Sequence, residues 1–396
     1  MNELITPAAA EGLILDGLPV LGTIPVPLGE AARHVLATPL AADRPLPPHD
    51  RVMMDGIACR VAEAIAGGGE LTIAGLHPAG AAEPGALPAA HCWEIMTGAA
   101  LPPDCDCVVP YEEIEKMPPK VLIRNTAALS AGQNIHSLGS DFAPGAELVP
   151  AGRRLGPREL AVAATVGATT ITVRRPPRIA IITTGDELVP PDQAPLPHQV
   201  RQSNAPSLAG ALAARGPAVV RARHVPDEEA ALGDAIDGAL ADCDLLLLCG
   251  GISKGQRDYV RPVLETRLGP PALHGVAQRP GKPLAFWRGP VPVFALPGNP
   301  ISVLVTFHRF VLPALAAMHG QAWSRRTVTL AEDFSFRPPV AYHLPVTLTA
   351  DGRAVPAPLA NSGDFASAIP SDGFIELPAD QDEFPAGFAA PYLAWL

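Results

Sequence analysis

Four short apolar segments between residues 178 and 302 each end in a polar turn rich in glycine or proline. Their sequences are RIAIITTGDE, DLLLLCGGISKGQRDY, GVAQRPGKP and VFALPGNPIS. Glycine lets a backbone turn sharply and expose N–H groups, and a helix that begins there adds the positive end of its dipole. The turns also carry the charged residues Glu187, Lys254, Asp258, Arg279 and Lys282. This clustering predicts a phosphate site, with ordinary strand-to-helix turns as the alternative.

The first two turns combine backbone donors with carboxylates. The groups they offer to a ligand are Thr184, Gly185, Glu187, Gly250, Gly251, Ser253, Lys254 and Asp258. A carboxylate beside a phosphate would repel it unless a divalent cation lies between them, and oxygen ligands of this kind suit Mg²⁺. The alternative is that Asp186 caps a helix and Glu187 is solvated.

The other two turns are stiffened by proline. RPGKP holds Arg279 and Lys282 on a loop in which Pro280 and Pro283 fix φ, which suits a polyanion. LPGNP sets Asn299 between Pro297 and Pro300, just before a predicted helix. The sequence favours a helix-capping role for Asn299 over contact with a ligand.

An alternation of strands and helices after residue 178 positions these turns. Strands are predicted at RIAIIT, VVRARHV and DLLLLC, with helices at 203–215, 227–241 and 258–268, so the fold class is α/β with a parallel sheet. Ser203 and Asp227 are the predicted N-caps. Ligands of open parallel sheets bind at the carboxyl ends of the strands, so the turns should converge.

The rest of the chain has a different character. A helix is predicted at 27–37, short β-like segments at 51–137, a helix from Pro157 and further β-like segments after Gly320. The predicted domains are an extended connector (1–44 and 138–177), a small β-rich domain (45–137), an α/β domain (178–321) and a C-terminal β domain (322–396).

Composition narrows the class of protein. The chain has 396 residues, 48% of them hydrophobic, and a formal charge of −11, which disfavours nucleic acid as a partner. The N-terminal segment carries Glu3 and Glu11 where a signal peptide would be apolar, and we expect neither membrane insertion nor export. Six cysteines without CxxC spacing predict reduced, buried thiols. We therefore expect a soluble cytoplasmic protein.

Seven motifs in order resemble those of the molybdopterin molybdenumtransferases, the MoeA and gephyrin E-domain family. They are MMDGIA (53–58), NIHSLGSD (134–141), IITTGDEL (181–188), LCGGISKGQRDY (248–259), RPGKPLAF (279–286), LPGNPISVLVTF (296–307) and NSGDFASAIPSDGFIELP (361–378). The resemblance extends from near residue 20 to the C-terminus. A shared fold does not by itself establish a shared activity.

The resemblance implies a homodimer of four-domain chains whose α/β domain binds the pterin. In the family, adenylylated molybdopterin and molybdate react with Mg²⁺ to give molybdenum cofactor and AMP, between the α/β domain of one subunit and the β-rich domain of the other. Position by position, the resemblance implies that the acidic residues of the site are Asp55, Asp141, Glu187 and Asp258. It also implies that Pro297 and Pro300 shape one wall of the same site. Asp55, Asp141 and Asp258 are the expected ligands of Mg²⁺. Besides molybdopterin and molybdate, the expected partner is a molybdopterin adenylyltransferase or a recipient molybdoenzyme.

Two loops depart from the family pattern and leave two functions open. The first loop has Arg51, Val52, Met53 and Ile57, and the second has His136, Ser137, Leu138 and Ser140, so two cations and a carboxylate are missing. Near 342–346 the basic residue of the family pattern is replaced by His343 before Pro345. Lys254 and Arg257 could compensate for the positive charge that is lost in these loops. One function is an active transferase in which Arg279 and Lys282 neutralise the nucleotide phosphates. The alternative is a catalytically weak or inactive molybdopterin-binding paralogue that serves a molybdoenzyme as carrier or chaperone.

Overall fold

The computed structural model describes residues 4–252, 258–359, 361 and 363–395. The α-helices are α1 (Pro7–Leu15), α2 (Val61–Ala66), α3 (Pro157–Thr165), α4 (Asn204–Arg215), α5 (Glu229–Asp242), α6 (Val260–Leu268), α7 (Pro300–Thr306) and α8 (Leu312–Met318). A π-helical turn, Phe307–Val311, joins α7 to α8. Single 3₁₀ turns lie at Leu28–Glu30, Tyr111–Glu113, Thr126–Ala128 and Ala366–Ala368.

Strands occur throughout the chain. Those before residue 178 are β1 (Thr23–Pro27), β2 (Leu40–Ala41), β3 (Arg51–Val52), β4 (Gly56–Cys59), β5 (Glu70–His77), β6 (His91–Ile95), β7 (Cys107–Pro110), β8 (Ile114–Met117), β9 (Lys120–Ile123), β10 (Ile135–His136), β11 (Glu147–Val149) and β12 (Thr170–Arg174). Those from 178 to 296 are β13 (Arg178–Thr184), β14 (Leu188–Val189), β15 (Val200–Arg201), β16 (Val219–Val225), β17 (Leu245–Cys249), β18 (Leu273–His274), β19 (Gln278–Arg279), β20 (Ala285–Trp287) and β21 (Val293–Leu296). The last are β22 (Arg326–Thr329), β23 (Phe334–Ser335), β24 (Ala341–Leu348), β25 (Ala354–Pro356), β26 (Gly373–Leu377), β27 (Glu383–Phe384) and β28 (Ala389–Ala394).

The chain divides into two compact units. The larger unit comprises Met1–Thr38, Ala151–Leu160 and Thr170–Leu396, and the smaller one comprises Pro39–Pro150 and Ala161–Thr169. The smaller unit is built on a six-stranded sheet with the order β7-β4-β6-β5-β9-β8, whose core includes Ile57, Leu71, Val109 and Val121.

A six-stranded sheet with the order β16-β13-β17-β21-β20-β18 is the centre of the larger unit. Neighbouring strands from β16 to β21 pair in parallel, while β20 and β18 are antiparallel. The predicted parallel sheet is confirmed for four strands, and two antiparallel strands extend it. Helices α4, α5 and α6 lie within two residues of their predicted bounds.

Both faces of this sheet are buried, because successive side chains of its central strands pack alternately into two hydrophobic cores. Ile181 and Leu247 pack with α4 and the 300–318 helix on one face. Ile182 and Leu248 pack with α5 and α6 on the other. Uninterrupted apolar runs such as LLLLC are what a sheet covered on both faces requires.

The C-terminal segment forms a β-sheet with the order β19-β24-β26-β28-β22, as the β-like pattern after Gly320 predicts. Strand β19 belongs to the RPGKP turn, so this sheet holds one edge of that turn. The helical stretch Pro300–Met318 has the length and composition of a membrane span, but 89% of it is buried inside the protein. Its burial is that of a core helix. All six cysteines lie in the described residues and are buried and free, which confirms the prediction.

Two local predictions are wrong. No helix forms at 27–37, a stretch that lies within the described residues. It contains the end of β1, a 3₁₀ turn and bridges from Val35 to Arg154 and from Leu36 to Val173, because distant pairing overrides a weak helical pattern. Asp227 is not an N-cap, since α5 begins at Glu229 and the Asp227 carboxylate binds Thr184 instead.

Candidate functional site

A cavity of about 1170 Å³ opens at the carboxyl ends of β13, β17 and β21. The described residues that line it all belong to the larger unit. They include every predicted site residue that the structure describes in that unit, namely Thr184, Gly185, Glu187, Gly250, Gly251, Asp258, Arg279, Lys282, Pro297, Asn299 and Pro300. Ser253, Lys254 and Arg257 lie outside the described residues. We call this space the large cavity.

The turn after β13 is held by a carboxylate from a neighbouring loop. The hydroxyl of Thr184 donates to Asp227 Oδ1, and the backbone N–H of Asp186 donates to Asp227 Oδ2 over 3.3 Å. In return, the N–H of Asp227 donates to Asp186 Oδ1 over 3.1 Å. Asp227 therefore fixes the segment that presents Glu187 to the large cavity.

Glycine is required in the turn after β17. Gly250 has φ +99°, and a Cβ there would lie 2.7 Å from the carbonyl oxygen of Thr184. Gly251 has φ +63°, and its Cβ would lie 2.8 Å from a methyl group of Val260. The two glycines let the ends of β13 and β17 come together, which brings the first two predicted turns to one wall.

The RPGKP turn is anchored to the C-terminal sheet. Gln278 and Arg279 pair in parallel with Ala341 and Tyr342, and the Gln278 amide donates to the carbonyl oxygen of Gly281 over 3.0 Å. Arg279 and Lys282 are exposed, and neither forms an ion pair with a residue that the structure describes. The turn therefore presents two cations to the large cavity.

Buried polar groups complete the wall. Asn204 is 9% exposed and donates its amide to the carbonyl oxygen of Gly298 over 2.8 Å, but its Oδ1 has no hydrogen-bond partner among the described residues. His343 lies 3.0 Å from Gln278 Oε1 through its Nε2, and burial lowers its pKa to about 4. A neutral imidazole and an unsatisfied amide oxygen are suited to a ligand with N–H or O–H groups.

Asn299 stands at the N-cap position of α7, but within the described residues its side chain makes no capping hydrogen bond there. Asn299 is therefore the N-cap residue by position without a side-chain capping bond, and it also lines the large cavity. Sequence reasoning also missed Asn204, Asp227 and Gln278 as cavity residues. Asp227 carried a signal as a polar residue next to a predicted helix, whereas Asn204 and Gln278 carried none.

The remaining predicted acids, Asp55 and Asp141, lie in the smaller unit. Asp55 Oδ1 accepts from the backbone N–H of Thr97 over 2.6 Å and from its hydroxyl over 2.7 Å, and these bonds lower the pKa of Asp55. Asp141 Oδ1 lies 2.8 Å from Nε2 of His136, whose Nδ1 lies 3.1 Å from an Arg51 guanidinium nitrogen. Arg51 and His136, one residue from each altered loop, thus form a chain of contacts that ends at the Asp141 carboxylate.

Within the described part of one chain, no group of three or more His, Cys, Asp or Glu side chains is placed to hold a metal ion. The assignment of Asp55, Asp141 and Asp258 to a metal stays a prediction. In the larger unit, the cavity brings together two of the predicted acids, Glu187 and Asp258, with the two cations of the RPGKP turn. This arrangement can bind an anion and a divalent cation together.

Family models match the chain in three consecutive parts. Residues 5–167 match the MoeA N-terminal region (domains I and II), 180–317 a model described as "Probable molybdopterin binding domain", and 327–395 the MoeA C-terminal region (domain IV). The relatives include proteins named molybdopterin molybdenumtransferase. The one from Synechocystis is 37% identical over 99% of this chain and all of its own length, and that of Synechococcus elongatus is 34% identical over 91% and 92%.

A solved structure of the molybdopterin biosynthesis MoeA protein from Pyrococcus horikoshii is similar over the whole of both chains, with a TM-score of 0.82 and 29% identity. Most of the described residues that line the large cavity lie in the part matched by the molybdopterin-binding model, and the others, such as His343, lie in the part matched by the C-terminal model. Taken with the full-length relatives, these matches show that the chain belongs to the MoeA family.

Proposed function

We propose that this protein is a molybdopterin molybdenumtransferase, which inserts molybdenum from molybdate into adenylylated molybdopterin and releases AMP. The observation that carries the proposal is the large cavity, in which three separate turns bring Glu187, Asp258, Arg279 and Lys282 to one space of about 1170 Å³. Family membership agrees with this function, since full-length relatives carry that name.

The substrate is a large polyanion with a polar ring system, and the cavity offers groups for both parts. Arg279 and Lys282 neutralise phosphate charge, since neither is paired with a described acid. Backbone N–H groups of the glycine turns add donors for the phosphates. The unsatisfied Oδ1 of Asn204 accepts from an N–H of the pterin ring.

Glu187 and Asp258 fit a magnesium ion in this setting. Mg²⁺ is commonly held by one or two carboxylates together with substrate phosphate oxygens and water, and both carboxylates line the same cavity as the two cations. When bound, Mg²⁺ would neutralise the phosphates whose linkage is broken as AMP leaves. Asp227 acts through Glu187, because it holds the turn from which that residue projects.

We further propose that the protein acts as a cytoplasmic homodimer and that Asp55 and Asp141 of a second copy complete the site, as the resemblance implies. Asp141 Oδ1 lies 2.8 Å from His136 Nε2, which keeps this carboxylate oriented in spite of the altered loop. Adenylylated molybdopterin would be supplied by an adenylyltransferase, and the product would pass to a recipient molybdoenzyme.

The test is AMP release from adenylylated molybdopterin in the presence of molybdate and Mg²⁺. Asp258→Asn and Glu187→Gln should each lower the rate by about 10²-fold or more, because the Mg²⁺ that neutralises the reacting phosphates loses a carboxylate ligand. Substrate binding by calorimetry should change far less. Glu265→Gln is the matched control, since Glu265 pairs with Arg261 on α6 over 2.7 Å, and it should keep the wild-type rate.

If the protein is a carrier, we expect it to bind the substrate without releasing AMP. A wild-type protein that binds the adenylylated pterin tightly yet releases no AMP would refute the transferase proposal and favour a carrier. Unchanged turnover in Asp258→Asn would remove that carboxylate from the reaction.

A further inference from the structure

A second cavity in the larger unit, of about 260 Å³, is walled by basic side chains. It lies where residues 33–35, Arg154 and the C-terminal end of α4 meet. None of the described residues that line it is an Asp or a Glu. We call this space the basic pocket, and its polar wall is formed by Arg33, His34, Arg154, Arg174, Arg215 and His319.

The arginines of the basic pocket are held by neutral oxygens. Arg154 donates to the carbonyl oxygen of Arg33 over 2.8 Å and to Gln321 Oε1 over 2.9 Å. Arg33 donates to the carbonyl oxygen of Ala213 over 2.8 Å, and Arg174 to that of Leu21 over 3.0 Å. These bonds orient the guanidinium groups without cancelling their charge.

A glycine with positive φ lies next to each of two of these groups. Gly216 has φ +142°, and a Cβ there would lie 2.5 Å from Arg154 Nη1. Gly320 has φ +69°, and its Cβ would lie 3.6 Å from Arg174 Nη2. The positive φ favours glycine at position 216, and any side chain there would displace the Arg154 guanidinium.

Two residues in the wall of the basic pocket each have a buried N–H donor that lacks an acceptor. Arg174 Nε and Trp323 Nε1 are buried and have no hydrogen-bond partner among the described residues. A buried donor without an acceptor is costly, and an oxyanion offers several acceptor oxygens. The unmet donors point to a ligand that the protein itself does not supply.

The charges in the basic pocket also repel one another. Burial, and then the positive charges of Arg33 and Arg215, lower the pKa of Arg154. Burial lowers the pKa of His319, and Arg154 and Arg174 add to that effect. Like charges held together in a partly buried space are stabilised by an anion between them.

We propose that the basic pocket is a second anion site, which binds a compact, doubly charged oxyanion such as molybdate or phosphate apart from the large cavity. Its volume of about 260 Å³, against about 1170 Å³, suits a tetrahedral oxyanion with a few waters better than a pterin dinucleotide. The apolar side chains of Leu212, Leu312 and Leu315 in its wall strengthen the attraction by excluding water.

The experiment separates the two sites before it tests the second. In an Arg279→Gln/Lys282→Gln variant the large cavity loses both cations of the RPGKP turn, and equilibrium dialysis should still find about one molybdate or phosphate bound per chain. Adding Arg154→Gln should weaken this binding at least about tenfold. Arg153→Gln is the matched control, because Arg153 pairs with Glu159 over 3.0 Å and does not line the pocket.

Anomalous scattering from molybdenum then locates the ion in crystals soaked in molybdate. A peak among Arg33, Arg154 and Arg174 supports the proposal, and a preference for molybdate over phosphate or the reverse identifies the anion. No binding by the Arg279→Gln/Lys282→Gln variant, or equal binding after Arg154→Gln, would overturn it. If Arg154→Gln does not fold, Arg215→Gln replaces it with the same expectation. None of these measurements uses AMP release, so the result is independent of the transferase activity.

Discussion

His343 is a fully buried titratable group in the wall of the large cavity. Its Nε2 lies 3.0 Å from Gln278 Oε1, and its Nδ1 has no hydrogen-bond partner among the described residues. Burial lowers its pKa from 6.5 to about 4. The neutral ring therefore donates from Nε2 and keeps Nδ1 unprotonated, which fixes the orientation of Gln278 beside Arg279.

This burial predicts a pH dependence of stability. In the unfolded chain His343 takes a proton near pH 6.5, whereas the native protein resists it down to about pH 4. Acid therefore favours the unfolded state, and the free energy of unfolding should fall as the pH drops from 6.5 to 4. The contribution of one such group is up to about 3 kcal/mol. His343→Gln, measured by urea unfolding at several pH values, should flatten the profile over this range.

The control is His198→Gln, which changes an exposed histidine of the same unit. It should leave the profile as it is in the wild type. A profile for His343→Gln that runs parallel to that of the wild type would show that His343 is protonated equally in the native and unfolded states.

At the scale of the elements, the turn after β17 decides whether the site can form. A side chain at Gly250 would need φ +99° and would meet the Thr184 carbonyl oxygen at 2.7 Å. Gly250→Ala should therefore lower the free energy of unfolding by about 2 kcal/mol or more and weaken pterin binding. Denaturant unfolding and calorimetry with the adenylylated pterin measure the two effects.

Gly238 gives the matched comparison. It lies on the exposed face of α5, and a Cβ there would meet nothing within 4 Å. Gly238→Ala should stabilise the protein by about 0.5 to 1 kcal/mol, because alanine favours the helix. Equal effects of the two substitutions would contradict the steric role of the Gly250 turn.

The elements that could be predicted are those whose signal is local. Apolar runs such as LLLLC predict the parallel strands, and the turns that follow these runs predict the cavity residues at the carboxyl ends of the strands. The stretch at 27–37 was mistaken for a helix because its pairing partners, Arg154 and Val173, are more than 100 positions away in the sequence. Asn204 and Gln278 reach the cavity through tertiary packing, which no local pattern records.

In the larger unit as a whole, a buried ion network ties together segments from both ends of the chain. Arg309, whose side chain is 1% exposed, donates to Glu11 Oε2 of α1 over 2.8 Å and also binds Glu376 of β26. Arg325 binds the other oxygen of Glu11. The Arg309 guanidinium, in the helical stretch Pro300–Met318, thus joins α1 to the C-terminal sheet that holds the RPGKP turn.

Breaking this network should be costly. Arg309→Leu leaves the largely buried carboxylate of Glu376 without its partner and should destabilise the protein by about 3 to 5 kcal/mol in urea unfolding. Arg309→Leu/Glu376→Leu should recover much of that loss, because no unpaired charge remains there. The control Arg353→Leu removes an exposed pair with Asp351 and should cost less than about 1 kcal/mol. A similar cost for both single variants would argue against the network.

At the scale of the assembly, the proposed homodimer can be tested by complementation. If Asp55 of one subunit serves the cavity of the other, Asp55→Asn and Asp258→Asn homodimers are both inactive. A heterodimer of the two, purified through different tags, has one site with both substitutions and one intact site. It should therefore release AMP at about half of the wild-type rate.

The reciprocal heterodimer joins a wild-type chain to an Asp55→Asn/Asp258→Asn chain. With Asp55 acting across the interface, each of its sites carries one substitution and it should be inactive. With both residues acting in one chain the outcomes are reversed, because the first heterodimer then has no intact site and the second has one. The pair of rates therefore decides whether one chain or two build the site, since a uniform loss of stability would lower both rates together.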